Sequence, residues 1–187
     1  MSKPLEGIRV LDLTRVLSGP YCTMLLADMG AEVIKIESPH GDDSRAYPPF
    51  DKGISAYYAN LNRNKKSIEL DLHDEKAKEV LRQLIKVSDV FVENFKPGTI
   101  AKMGFSYEEV KKLNPNIIFA SISGFGQTGP YRLLPGYEGD GDPVCLTESN
   151  WDMTEGQDPV TRMQQVDLQL WLAGDILLKA DKMSMAH

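Results

Sequence analysis

Gly124-Phe125-Gly126-Gln127-Thr128-Gly129 spells G-x-G-x-x-G directly after an apolar run. That spacing lets a glycine loop lay backbone N–H groups against a pyrophosphate, provided that the loop opens a helix. Here Pro130, Pro135 and Gly136 follow and break any helix. The segment therefore reads as a glycine loop at the C-terminal edge of a sheet, where open α/β sheets border their ligands. Arg63, Lys65 and Lys66 form a second chemical group, a basic knot suited to phosphate. A solvated turn of charges is the equal alternative, since most charge runs lie on the surface. Asn94-Phe95 is a third group, an amide and a ring at the end of an apolar strand, read either as ligand contacts or as a plain turn.

The elements that must position these residues alternate. Ile8 to Leu13 is a near-continuous apolar strand of the kind buried on both faces of a parallel sheet. A loop to Gly19 leads into a helix over about 20–29, with Ser18 as its cap, Pro20 in the first turn and Cys22, Leu25, Leu26 and Met29 as its apolar stripe. Glu32 to Glu37 alternates as a second strand. Residues 38–62 are rich in Pro, Gly, Asp and aromatics and read as a long excursion. A strand is predicted at 67–72, a helix at 74–87 capped by Asp74 with Ala77, Val80, Leu81, Leu84 and Val87 as its stripe, and strands at 89–93 and 116–123. Ser106-x-x-Glu109 is a capping box for a helix over 107–113 that Asn114-Pro115 ends. The pattern predicts an α/β domain with a mainly parallel, Rossmann-like sheet flanked by helices.

Bulk properties narrow the function classes. The chain has 187 residues, 42% hydrophobic and 26% charged, enough for one ordinary core. A net charge of −6 argues against a nucleic-acid surface but allows a local basic pocket. Cys22 and Cys145 show no CxxC spacing, no run approaches a membrane span, and the N-terminus has no apolar leader region. These features predict a cytoplasmic protein with no membrane partner and no metal.

Four stretches, "LEGIRVLDLTRVLSGPYCTMLLADMGAEVIKIESPHGDDSR", "NRNKKSIELDL", "VENFKPGTIAKMGF" and "SISGFGQTGPY", stand in the order and spacing of the family III CoA-transferases. The resemblance covers about residues 3–137. It implies coenzyme A, as an acyl-CoA substrate, with a carboxylic acid as the second small molecule. It also implies that Arg15, Val16, Leu17, Ser18, Arg45, Asn94, Phe95, Lys102 and Met103 line the CoA site, with Tyr137 near the thioester. Arg63, Lys65 and Lys66 fit the phosphates of that ligand.

In transferases of this family one aspartate attacks the acyl-CoA carbonyl to give a mixed anhydride, and the released thiolate then forms an enzyme–CoA thioester. The family's setting for that aspartate is not recognisable in this sequence. Asp167 alone enters a helical pattern, as a helix N-cap or as the nucleophile. Residues 138–157 read as an acidic linker, and 158–187 resemble a helical fragment of the synthetase domain of asparagine synthetases. The expectation is thus a CoA-binding domain over 1–137, truncated, chimeric and catalytically impaired. A non-catalytic CoA-binding or interaction module and an asparagine-synthetase-type ligase fragment are the alternatives. Members of the family form interlocked homodimers, which this chain is expected not to complete.

Overall fold

A computed structural model of the protein describes residues 3–133, all within the unit Met1–Gly136. Tyr137, Asp167, the linker read at 138–157 and the segment read at 158–187 lie outside the described residues.

The elements run β1 (Arg9–Asp12), α1 (Ser18–Asp28), β2 (Glu32–Glu37), a 3-10 turn (Asp43–Ala46), β3 (Phe50–Asp51), β4 (Ile54–Ser55) and α2 (Ala56–Asn62). They continue with β5 (Lys65–Glu69), α3 (Glu75–Lys86), β6 (Val90–Glu93), α4 (Thr99–Lys102), α5 (Tyr107–Leu113) and β7 (Ile118–Ser121). Five strands form one sheet in the order β5-β2-β1-β6-β7, and every pair in it is parallel. The chain moves outward from β1 through β2 to β5, then returns to the other side of β1 for β6 and β7. That reversal makes a topological switch point between β1 and β6, and open α/β sheets hold ligands in the crevice outside the carboxyl ends of the strands there.

Both faces of the sheet are covered, which is why β1 reads as unbroken Val10-Leu11 rather than as alternation. Val10, Val33 and Val92 pack with Ala27 and Ala31 under α1. On the other face Leu11, Leu13, Ile36 and Phe91 pack with Leu81 and Ile85 of α3, Val110 of α5, and Phe105 and Ile117. Burying each such side chain contributes roughly 1.5–3 kcal/mol, so this double layer carries the stability of the unit.

The helix signals at 74 and 106 hold. Asp74 accepts from the Lys76 N–H, and the Ser106 hydroxyl accepts from the Glu109 N–H. Four expectations need correction. The Ser18 side chain does not cap α1, whose N-cap is Leu17 without a side-chain bond. The buried face of α1 is Gly19, Pro20, Thr23, Met24 and Ala27, while Cys22, Leu25 and Met29 face outward, because the loop after β1 favours small and hydroxyl side chains. In α3 the stripe turns toward Ile85, leaving Val80 and Val87 exposed. The third strand starts earlier than 67, so Lys65 and Lys66 are strand residues. The long excursion over 38–62 is partly ordered, holding a 3-10 turn, a pair of two-residue strands and α2. Residues 124–133 form bends and turns with no helix, as the prolines require.

Candidate functional site

Asp12, the last residue of β1, is fully buried and gathers the loop around it. One carboxylate oxygen accepts from the Thr14 N–H at 2.9 Å and from the Thr14 hydroxyl. The other accepts from the Thr23 hydroxyl at 2.6 Å and from Lys65 Nζ at 3.0 Å. Lys65 also donates to the Pro20 carbonyl and to Asn62, and its side chain is 1% exposed. Burial lowers its pKa, and the Asp12 charge opposes that shift. Gly19 lets the first turn of α1 approach this loop, since a Cβ there would sit 2.2 Å from the Cβ of Thr14.

A second buried pair lies beside the first. Lys35 Nζ contacts Asp42 at 2.9 Å and donates to the Thr14 carbonyl at 2.8 Å. Asp42 accepts from the Val16 N–H at 3.1 Å and from the Ser44 N–H and hydroxyl. Burial pushes the Asp42 carboxyl up, but the Lys35 bond and charge outweigh it and hold the group below the usual carboxylate range. Val16 sits at φ +68°, a left-handed conformation that β-branched residues rarely adopt. Across the switch point, the Asn94 side chain bonds both sides of Arg15: its oxygen accepts from the Arg15 N–H at 2.8 Å, and its NH₂ donates to the Arg15 carbonyl at 2.9 Å.

A third cluster ties the excursion to the sheet. Glu37 takes two bonds from Arg45, at 2.8 and 2.7 Å, and one each from Tyr58 and Ser67. The Arg45 guanidinium lies 3.8 Å above the Tyr58 ring centroid. Burial raises the Glu37 pKa, but the bonds from Arg45, Ser67 and Tyr58 overcome it and set the group at about 2. Burial and the Glu37 contact push the Tyr58 hydroxyl well up.

Between these clusters opens a cavity of about 260 Å³. Leu13, Ile36, Leu70, Leu72, Phe95 and Met103 give it an apolar wall; Arg15, Lys35, His40 and His73 bring basic groups, and Glu37, Asp42 and Asp71 acidic ones. The Arg15 guanidinium pairs with Asp43 at 3.0 Å, both half-exposed, a contact weak enough to exchange for a ligand anion. The carboxylates Glu37 and Asp42 are held by Arg45 and Lys35, so neither is free to act as a nucleophile. The arrangement suits binding of an elongated ligand with an apolar arm and an anionic end.

Of the residues singled out in the sequence, Arg15, Phe95 and Met103 line this cavity. Val16, Leu17 and Ser18 lie just beyond Arg15 in the loop and the first turn of α1. Asn94 is engaged on the Arg15 backbone, Arg45 on Glu37, and Lys102 is exposed at the end of α4. The basic knot is not brought to this cavity. Lys65 is buried under Asp12, whereas Arg63 pairs with Asp28 and Lys66 with Glu32. Asp28 ends α1 and Glu32 starts β2, so Arg63 and Lys66 mark the N-terminal end of the sheet, away from the cavity.

The lining residues Lys35, His40, Asp42, Leu70, Asp71, Leu72 and His73 carry no motif that marks them in sequence. Lys35 left a signal: in a strand covered on both faces, a lysine aligned with Val33 must be buried and therefore paired.

The model of CoA-transferase family III matches residues 5–167. The chain belongs to CoA-transferase family III. It is 48% identical to the succinyl-CoA:glutarate CoA-transferase of Mus musculus over 171 residues, 82% of this chain and 39% of that protein. It is 52% identical to the formyl-CoA:oxalate CoA-transferase of Streptomyces coelicolor over 141 residues, 73% of this chain and 33% of the relative. Among solved structures, a CAIB/BAIF family protein from Brucella suis aligns with a TM-score of 0.70 and 40% identity, covering 85% of this chain and 42% of that one. The chain thus spans roughly two fifths or less of the length of these curated relatives. For a family III CoA-transferase, the parallel sheet with flanking helices is the fold expected from the sequence. Among the described residues no helix is long and apolar enough to cross a membrane.

Proposed function

We propose that the described unit binds the CoA portion of an acyl-CoA, within a cytoplasmic protein that transfers CoA to a carboxylic acid. The cavity at the switch point carries this reading: an apolar wall beside the half-exposed Arg15 matches a pantetheine arm leading to phosphates. Phe95 and Met103 pack on the arm, while Arg15 leaves Asp43 for a phosphate, with His40 and His73 also lining the cavity. The succinyl-, formyl- and acetyl-CoA named among the relatives support a short-chain acyl-CoA as donor, with a small dicarboxylic acid as acceptor. Asp167, at the end of the span matched by the family model, is the candidate for the attacking carboxylate, with a helix N-cap as its alternative role.

Calorimetry with coenzyme A tests the binding. Saturable heat below millimolar CoA, weakened by Phe95→Ala, supports it; no heat from folded protein at millimolar CoA overturns it. Exchange of CoA between succinyl-CoA and glutarate, lost in Asp167→Ala with CoA binding retained, would establish that aspartate as the nucleophile. Exchange that survives the substitution would remove it from the mechanism.

A further inference from the structure

Three successive backbone units after β1 are each held by a side chain from another element. The Thr14 carbonyl accepts from Lys35 Nζ of β2 at 2.8 Å. The Arg15 N–H and carbonyl are both taken by Asn94, which follows β6, at 2.8 and 2.9 Å. The Val16 N–H is taken by Asp42 at 3.1 Å, and Asp42 is itself fixed by Lys35 at 2.9 Å. Between them Val16 sits at φ +68°, where a branched side chain is unfavourable. A strained residue persists only when its surroundings over-determine it. Here the two bonds to Arg15 and the one to Val16 do so.

We infer that Lys35, Asp42 and Asn94 are positioning residues: they clamp Thr14–Val16 in its strained form and so preorganise the cavity wall from which Arg15 projects. The inference rests on the CoA reading of that cavity. Asn94 then acts on the ligand through Arg15, its own amide being engaged at both ends. Binding to a loop that is already ordered avoids the entropy of ordering it, which is where the clamp enters affinity.

The variants to compare are Asn94→Ala, Asp42→Asn and Asn94→Ala combined with Val16→Gly, all in the full chain, with coenzyme A as the probe in calorimetry. Amide exchange at Arg15 and Val16, followed by NMR, is the second readout. Asn94→Ala should speed exchange at Arg15 while β1 and β6 stay protected. It should also weaken CoA about tenfold, since the loss of hydrogen bonds of this kind is worth about that factor. Asp42→Asn should speed exchange at Val16, because the amide is a weaker acceptor and Lys35 loses its counter-charge.

Adding Val16→Gly to Asn94→Ala should recover part of the affinity, because glycine adopts positive φ without steric cost. A direct contact between Asn94 and CoA could not be repaired from position 16. Affinity that Asn94→Ala leaves unchanged, or a loss that Val16→Gly leaves untouched, overturns the inference. If the unaltered protein binds no CoA, the ligand reading itself falls. Exchange at Arg15 and Val16 then decides the clamp alone, and rates unchanged in both variants refute it.

Discussion

At the N-terminal end of the sheet, Arg9 and Lys66 share Glu32, and Arg63 meets Asp28, all at least partly in solvent. Toward the C-terminal end, Lys35 meets Asp42 and Lys65 meets Asp12 with side chains that are almost wholly buried. The residue types are the same, but the surroundings differ. In water such pairs contribute little, because solvent already stabilises each partner. Out of water each partner depends on the other, and losing one strands a charge. The buried pairs lie where the chain must hold an unusual backbone, beside Thr14 and Val16. Beside the exposed Arg63–Asp28 pair the only such residue among those described is Asn64, at φ +63°, an asparagine that tolerates the left-handed region far better than a β-branched valine. Charge therefore marks the site by its burial and its partners, and the number of cations in a run of sequence carries no such information.

The most demanding test of this contrast is Lys35→Met against Lys66→Met. Losing Lys35 leaves Asp42 buried without its counter-charge, which should cost about 3–5 kcal/mol in urea unfolding. Lys66→Met should cost less than about 1 kcal/mol. Equal effects would show that burial does not separate the two ends.

Acid sharpens the same comparison at Glu37. Its folded pKa is lowered to about 2 from the ordinary 4.5. The stabilisation from ionised Glu37 is therefore fully present above about pH 4.5 and is lost as pH falls toward 2. The shift corresponds to roughly 3 kcal/mol. Unfolding measured between those pH values should show a steeper loss in the unaltered protein than in Glu37→Gln. Parallel curves would mean that Arg45, Tyr58 and Ser67 do not stabilise the ionised form.

These predictions concern residues that are unevenly legible in sequence. The alternation of strands and helices shows at once, because apolar periodicity and the caps at Asp74 and Ser106 are local signals. The face of α1 is not legible from its apolar residues for a physical reason: the loop it packs on takes up Gly19, Pro20 and Thr23, so that Met24 turns inward while Cys22, Leu25 and Met29 turn outward. The pairings that build the site are not local. Asn94 and Arg15 are 79 positions apart, and Lys65 and Asp12 are 53 apart. A basic run is visible in one dimension, whereas its counter-charges appear only once β1, β2 and β5 are laid side by side. The Asn94-Phe95 pair was found as a unit, yet its two members differ in use. The ring lines the cavity, and the amide holds the loop opposite.

A smaller effect is expected at the cavity wall. Phe95→Ala removes part of an apolar surface that is only half-buried in the free protein. Its stability cost should therefore fall below that of Lys35→Met, while CoA affinity should drop about tenfold if the ring packs on the ligand. A large loss of stability with unchanged affinity would reassign Phe95 to the core.

The smallest effect belongs to the basic run itself. Arg63→Ala with Lys66→Ala removes two cations whose partners, Asp28 and Glu32, lie at the end of the sheet away from the cavity. The Lys66 side chain is 73% exposed, and its pairing is readily screened. CoA affinity should change by less than about twofold at moderate salt, because only a screened, long-range part of the attraction is lost. Lys65 is left out of this variant, since its removal strands Asp12 and would confuse folding with binding. A double variant that loses CoA tenfold, with folding intact and a flatter salt dependence, would place the phosphates at the N-terminal end of the sheet. The cavity beside Arg15 would then no longer be the CoA site.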